Sequence, residues 1–493
     1  MALPTPAVVA DRSVGVVLAS AAGDALGAPH EFHPALRRDA PLEMTGGGSF
    51  AWRPGEWTDD TQMALALLTP LAAGDRSLDA VERGFLDWYR AHPADVGNQT
   101  ASVLGAGLPL GESAARYQKR HPEGAGNGGL MRIGPAGLSH SGEPARIAEY
   151  AAATTALTHP HRDCVDASIL WSVAIDHTIH LAPPAGEEWD FAEAVRLGLP
   201  LLPAERRDRW DHLIDEAVAR PAVEFSNNGW VIHAFQAALA AIVHASPPAG
   251  APACRHLPAA IEAAVRCGND TDTVAAIAGA LLGARWGATA VPLRWSSVLR
   301  GQRINRQPDL AAHDLERLAR LAAGKGAADR LGWPSCQRLV PYYLSHFDQV
   351  PISVELGGAH FGNIAGLAPA IAAGANVVVS LCRMGTEDVP AGVGHPVVGL
   401  IDTSLEDNPN LPFLLADTAD FIAHQVADGR SVYVHCVQAE HRTPAVAAAY
   451  LARHRGMSVD KAIETVKAAI PHHLLPWLVD GLQRAADLDA TNC

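Results

Sequence analysis

Ala322-Ala323-Gly324-Lys325-Gly326-Ala327-Ala328-Asp329-Arg330-Leu331-Gly332-Trp333-Pro334 separates two textures of sequence. Upstream, apolar residues recur at helical spacing: Leu78, Val81, Phe85, Trp88 and Tyr89 share one stripe, as do Phe235, Leu239 and Ile242. Alanine-rich runs bounded by glycine, such as Val274 to Ala284 between Gly268 and Gly287, extend that pattern, and strand-like alternation is scarce from Val14 to Ala323. Downstream, short apolar strands (Val377 to Leu381, Val397 to Ile401, Val432 to Val434) alternate with helices near residues 411–427, 443–455 and 459–468. That is the βα alternation of an α/β domain. The sequence therefore predicts a multidomain chain: an all-α domain over residues 1–325, a linker over 326–344 and an α/β domain over 345–493. At roughly 150 residues per domain, 493 residues fit two domains if one is large.

Apolar residues make up 48% of the chain and charged residues 18%, which provides ample core and excludes a disordered chain. Fifty-three acidic against 38 basic residues leave a formal charge of −15. Such a surface repels polyanions, so neither general nucleic-acid binding nor attachment to an anionic membrane is expected. The seven cysteines are odd in number and form no C-x2-C pair, and the expectation is a reduced, cytoplasmic protein. Asp11 and Arg12 stand where a secretory signal needs its apolar run. The longest uncharged stretch, Gly362 to Cys382, is broken by Pro369, Gly374 and Asn376 and reads as a helix, a turn and a buried strand.

Trp57-Thr58-Asp59-Asp60-Thr61 stands directly before the apolar helix Met63 to Leu68. Adjacent helical residues point about 100° apart, so three consecutive oxygen donors cannot share one face of a helix interior. At an N-terminus the chain is turning and they can converge. The same residues also suit an ordinary N-cap with acidic first-turn side chains that favour the helix dipole. A second segment, Gly268-Asn269-Asp270-Thr271-Asp272-Thr273, precedes the helix Val274 to Leu282, and Glu31 is a third acidic candidate. Together these are hard oxygen ligands for Mg²⁺ or Mn²⁺, whose binding would neutralise their mutual repulsion. Spacing alone does not bring the three segments together.

In order and local context these segments resemble the ADP-ribosylglycohydrolase family over about residues 13–300. The motifs that carry the likeness are Gly23, Asp24, Gly27 and Glu31; Trp57 to Asp60; Gly126-Asn127-Gly128-Gly129-Leu130-Met131-Arg132; Thr158-His159; and residues 268–273, where Asn269 replaces a usual glycine. The resemblance implies an all-α hydrolase that cleaves ADP-ribose from an ADP-ribosylated protein or small molecule. It implies two Mg²⁺ or Mn²⁺ ions held by Thr58, Asp59, Asp60, Asp270, Asp272 and Thr273, with Glu31 managing the proton. It further places Gly126, Asn127, Gly128, Gly129 and Met131 against the diphosphate or ribose, glycine letting backbone amides approach an anion. His159 is read as a structural hydrogen-bonder. Action on another ribose-containing small molecule is the alternative, because the ligands report the ribose diol and not the leaving group.

Ser431 to His435 reads as a buried strand and Thr443 to Arg455 as a helix, with Cys436-Val437-Gln438-Ala439-Glu440-His441-Arg442 between them. Loop amides and a helix N-terminus make an anion cradle, Arg442 can bind phosphate oxygens bidentately, and the same field lowers a thiol pKa. A thiolate so placed attacks phosphorus. The region resembles the dual-specificity-type protein tyrosine phosphatase superfamily over about residues 345–485, extending to Ala447 to Leu451 and to Met457-Ser458-Val459 with Ala462-Ile463. The resemblance implies a cofactor-free phosphatase with Cys436 as nucleophile, Arg442 on the phosphate, Asp402 as general acid (Asp407 in reserve), and Thr443 assisting release of the cysteine. Two residues depart from the pattern. Ala439 stands where glycine is usual and would be strained at positive φ. Glu440 brings a negative charge to a phosphate loop unless it points to solvent. They leave a non-catalytic phosphate-binding module as the alternative.

Overall fold

Thr5 and Pro6 start the helix Pro6–Gly27: the Thr5 hydroxyl accepts from the Val8 amide, and proline occupies the first turn, where no amide hydrogen is needed. The computed structural model describes residues 3–184, 186–347, 350–471 and 473–488. This first helix is long and apolar enough to cross a membrane, yet it is buried along most of its length and packs against the helix Thr271–Trp286. The two backbones touch. A Cβ on Gly15 would lie 2.4 Å from the Gly283 carbonyl oxygen, and one on Gly283 would lie 2.0 Å from that of Gly15. Gly27 meets the Asp272 backbone in the same way, so the end of the first helix is set beside the start of the other.

Two compact units make up the chain. The first holds the chain to Ser246 together with His256–Val291 and Val298–Ala327; the second holds Pro247–Arg255, Pro292–Ser297 and everything from Ala328 onward. The first unit is helical, and among its described residues the strands are the short pair β1, Arg300–Gly301, and β2, Leu310–Ala311. Residues 328–344, read from sequence as linker, lie inside the second unit, where Leu339 and Tyr343 are buried with Leu331, Trp333 and Cys336 packed around them.

In the second unit β3 (Ser353–Leu356), β4 (Ala359–Asn363), β5 (Val377–Ser380) and β6 (Val432–Cys436) form one sheet in the order β3-β4-β6-β5. The first two strands are an antiparallel hairpin; β4, β6 and β5 run parallel. Alternate residues of the β5 run feed two cores: Val377, Val379 and Leu381 one, Val378 and Cys382 the other. Burial on both faces explains a continuous apolar run instead of an alternating one. Val397 to Ile401, expected as a strand, is only a bridge at Ser380↔Val397. Pro396 has no amide hydrogen to extend the ladder, and Gly399 follows the one pairing at Val398.

Candidate functional site

Asp24, on the last turn of the first helix, organises the acidic turn: its carboxylate accepts from the Thr58 amide (3.0 Å), the Thr61 amide (3.0 Å) and the Thr61 hydroxyl (2.6 Å). Thr58 is also the N-cap of the helix Asp59–Ala72, accepting from the Asp60 amide, so the capping reading and the clustering reading both hold for this segment. Asp60 Oδ2 accepts from Thr58 Oγ1 (3.3 Å) and from Thr273 Oγ1 (3.2 Å), which joins the two remote segments. Glu31, Asp270 and Asp272 each offer an oxygen, all within 4.8 Å of one another. Phe32 and Asn269, both left-handed at φ +65° and +61°, pair through Phe32 N to Asn269 O (2.7 Å) and the His33↔Asn269 bridge. That pairing holds Glu31 and Asp270 side by side. Asparagine tolerates this conformation, so the replacement of glycine at 269 leaves the turn intact.

Burial and mutual repulsion set the charge of this group. Glu31 is held up to about 9, first by burial and then by the charges of Asp270, Asp95, Asp59 and Asp24. Asp59, Asp60 and Asp272 lie well above the ordinary carboxylate range for the same reasons. Three buried oxygens, Glu31 Oε2, Asp60 Oδ1 and Asp272 Oδ1, have no hydrogen-bond donor among the described residues. Hard anionic oxygens gathered without donors fit a divalent cation. Asp95 belongs to the group electrostatically, being itself raised to about 6, chiefly by burial. An isolated acid in the turn His92-Pro93-Ala94-Asp95 offers no motif by which sequence could have found it.

The glycine loop faces protein. A Cβ at Gly128 would sit 2.9 Å from His159 Cε1, and one at Gly129 would sit 2.7 Å from Thr155 Cγ2. These glycines are therefore required by close packing on His159 and Thr155. Asn127, Gly128, Gly129 and Met131 are buried, and Gly126 is half-buried. The Asn127 side chain donates to Asp270 Oδ2 (2.7 Å) and to the Asn228 carbonyl (2.8 Å). His159 is buried, which keeps its ring neutral.

In the second unit Cys436 ends β6 and Arg442 begins the helix Arg442–His454. The Ala439 amide donates to Cys436 Sγ at 3.2 Å. Arg442 Nη1 donates to the Leu381 carbonyl (2.7 Å), and its Nε faces Asp402 Oδ2 at 3.5 Å. Asp402 thus reaches the cysteine loop, whereas Asp407 accepts from the hydroxyls of Thr403 and Ser404 in its own turn. The Thr443 hydroxyl is buried without a partner. Ala439 is left-handed at φ +60°, and Glu440 is exposed. Under the loop, Ser380 Oγ contacts the Nε2 atoms of His435 (2.8 Å) and His395 (2.9 Å), and burial holds His435 down at about 4.

Residues 5–329 match the family model of ADP-ribosylglycohydrolases. Over 296 residues the chain is 31% identical to the ADP-ribosyl-[dinitrogen reductase] glycohydrolase of Rhodospirillum rubrum, spanning 59% of this chain and 91% of that protein. The solved structure of an ADP-ribosylglycohydrolase-related protein complex superposes with a TM-score of 0.51 at 27% identity, covering 65% of this chain and 99% of that one. A separate stretch of 101 residues is 36% identical to mouse dual specificity phosphatase 28, covering 20% of this chain and 60% of the phosphatase.

Proposed function

The chain belongs to the ADP-ribosylglycohydrolase family, and from that premise we propose that it hydrolyses the glycosidic bond between ADP-ribose and an acceptor with the help of divalent cations. The observation that carries the reading is the set of buried carboxylate oxygens without donors on Glu31, Asp60 and Asp272, gathered with Asp270. Thr58, Asp59, Asp60, Asp270, Asp272 and Thr273 are assigned to hold two Mg²⁺ or Mn²⁺ ions. When bound, such ions orient ribose hydroxyls and lower the pKa of water. The rest falls to the protein. Glu31, which the charge of bound cations would hold ionised, takes the proton of the attacking water as the new C–O bond forms and returns it to the acceptor as the glycosidic bond breaks. The substrate is an ADP-ribosylated protein or small molecule; the Rhodospirillum relative is named for an ADP-ribosylated protein.

The test is incubation of the full-length chain with a panel of ADP-ribosylated acceptors, with Mg²⁺, with Mn²⁺ and in excess chelator. Release of ADP-ribose from at least one acceptor, abolished by chelation and restored by either ion, is expected. Full activity after exhaustive dialysis against chelator would remove the metal assignment.

A second reading concerns the second unit, and the short Ala439 amide to Cys436 Sγ contact favours it. The Cys436 thiolate attacks the phosphorus of a phosphorylated substrate, and the phosphorus–oxygen bond breaks as Asp402 protonates the leaving oxygen. Water then attacks the phosphorus, the phosphorus–sulfur bond breaks to return the Cys436 thiolate, and inorganic phosphate is released, with Arg442 on the phosphate oxygens throughout. A chromogenic phosphate ester distinguishes this from a phosphate-binding module: turnover lost in Cys436→Ser supports catalysis, and no turnover by the wild type supports binding alone.

A further inference from the structure

Resting on the cation-dependent reading above, we propose that Asn127 is a positioning residue for the cation site, orienting the Asp270 carboxylate and not the substrate. Asn127 is buried, and its side-chain amide has two hydrogens, both committed: one to the Asn228 carbonyl at 2.8 Å, the other to Asp270 Oδ2 at 2.7 Å. With Oδ2 so held, the Asp270 carboxylate is oriented within the group it forms with Glu31 and Asp272. Asn228 secures the backbone of the same residue. Its Oδ1 accepts from the Asp270 amide (3.1 Å), and its Nδ2 donates to the Gly268 carbonyl (2.8 Å). Two buried asparagines thus fix Asp270, one by the side chain and one by the main chain.

The chemistry suits an amide. A neutral donor aligns the carboxylate while leaving its charge for the cation, whereas a lysine or arginine in that place would compete with the ion. What holds Asn127 in place is equally specific. Arg132, stacked over the Phe85 ring at 4.2 Å, donates to Thr158 Oγ1 (2.5 Å), which in turn lies within hydrogen-bond distance of His159 Nδ1 (2.8 Å). These contacts hold the imidazole on which the loop 126–129 lies. The chain of contacts runs from Arg132 through Thr158, His159 and the glycine loop to Asn127 and Asp270.

The test is titration of the full-length protein with Mn²⁺ alone by calorimetry, together with its metal-free unfolding midpoint. Asn127→Leu, close in size and without donors, is expected to weaken Mn²⁺ binding about 10- to 100-fold, the usual cost of losing a partner behind a metal ligand. A purely structural role would move the metal-free midpoint and leave the Mn²⁺ affinity alone. If Asn127→Leu does not fold, Asn127→Ser, which keeps one short donor, carries the test with an intermediate loss. A folded variant with wild-type Mn²⁺ affinity overturns the proposal, and if its KM also rises, Asn127 is a substrate ligand instead. Failure of the wild type itself to bind Mn²⁺ would remove the cation-dependent reading, and the proposal with it.

Discussion

Asp272 presents one carboxylate oxygen with no donor among the described residues, and its charged neighbours Asp60, Glu31, Asp270 and Asp24 are all acidic. Its replacement therefore acts in opposite directions on activity and on stability. Asp272→Asn is expected to lower kcat/KM by several kcal/mol of transition-state stabilisation, about 100-fold or more, as a metal ligand is lost. The metal-free variant should unfold at higher denaturant than wild type, because one buried repulsion is gone. Activity assays paired with urea unfolding in chelator check both signs. Ala439 offers a cleaner case. At φ +60° a non-glycine residue costs roughly 1–2 kcal/mol, partly offset by burial of its methyl group, so Ala439→Gly should raise stability by up to about 1 kcal/mol in the same unfolding assay. The loop motif carried the warning that a Cβ would be strained there, but only the backbone gives the sign of φ. Exposure of Glu440 was likewise outside the reach of sequence. The contact of Asn127 with Asp270, 143 residues away, and the burial of Asp95 beside the acidic group were beyond it for another reason: neither leaves a local pattern in the chain.

The helices Pro6–Gly27 and Thr271–Trp286 are held by a seam of backbone contacts, and the end of that seam where Gly27 meets Asp272 carries acidic residues of the site. Gly283→Ala would drive a methyl group to 2.0 Å from the Gly15 carbonyl oxygen, a main-chain atom that cannot turn aside. The expected cost is about 3 kcal/mol or more, at the upper end of overpacking, read as a fall in the thermal unfolding midpoint. Gly111→Ala, in the helix Leu110–Arg120 with open space around it, is the control and should gain about 0.5–1 kcal/mol. If both substitutions proved neutral, the close helix crossing would be wrong. At this scale sequence spoke clearly where one period persisted. The helix after Trp57 to Asp60, the strand–loop–helix around Cys436 and the helix–turn–strand of Gly362 to Cys382 all follow from it. It was silent where period fails: Val397 to Ile401 has strand composition but lacks ladder donors at Pro396, and residues 328–344 pack by scattered aromatic and apolar side chains that no repeat announces.

For the molecule as a whole, a single break in texture near residue 330 could not reveal that Pro247–Arg255 and Pro292–Ser297 group with the second unit, because these segments are short and carry no pattern of their own. The dependence of stability on pH follows more directly from composition made local. Glu31 has an ordinary value of 4.5 and stands at about 9 in the fold, so over the intervening range the folded chain keeps a proton that the unfolded chain has lost. Stability from this source is complete below about 4.5 and is lost as pH rises through 9. His435 works the other way, from 6.5 down to about 4, and its contribution is lost as pH falls below 6.5. Asp24 and Asp95, each near 6, also titrate in the lower range. Above 6.5 the acidic cluster therefore acts without that opposition. In chelator the chain should lose stability between pH 6.5 and 9, on the order of 1 kcal/mol per pH unit for each proton retained. Saturating Mg²⁺ replaces those protons, so its stabilisation should grow with pH across the same window. Urea unfolding at several pH values, with chelator and with Mg²⁺, measures both slopes. A metal-free protein whose stability rose steadily toward pH 9 would mean that the carboxylates of Glu31, Asp60 and Asp272 are not crowded as the structure places them.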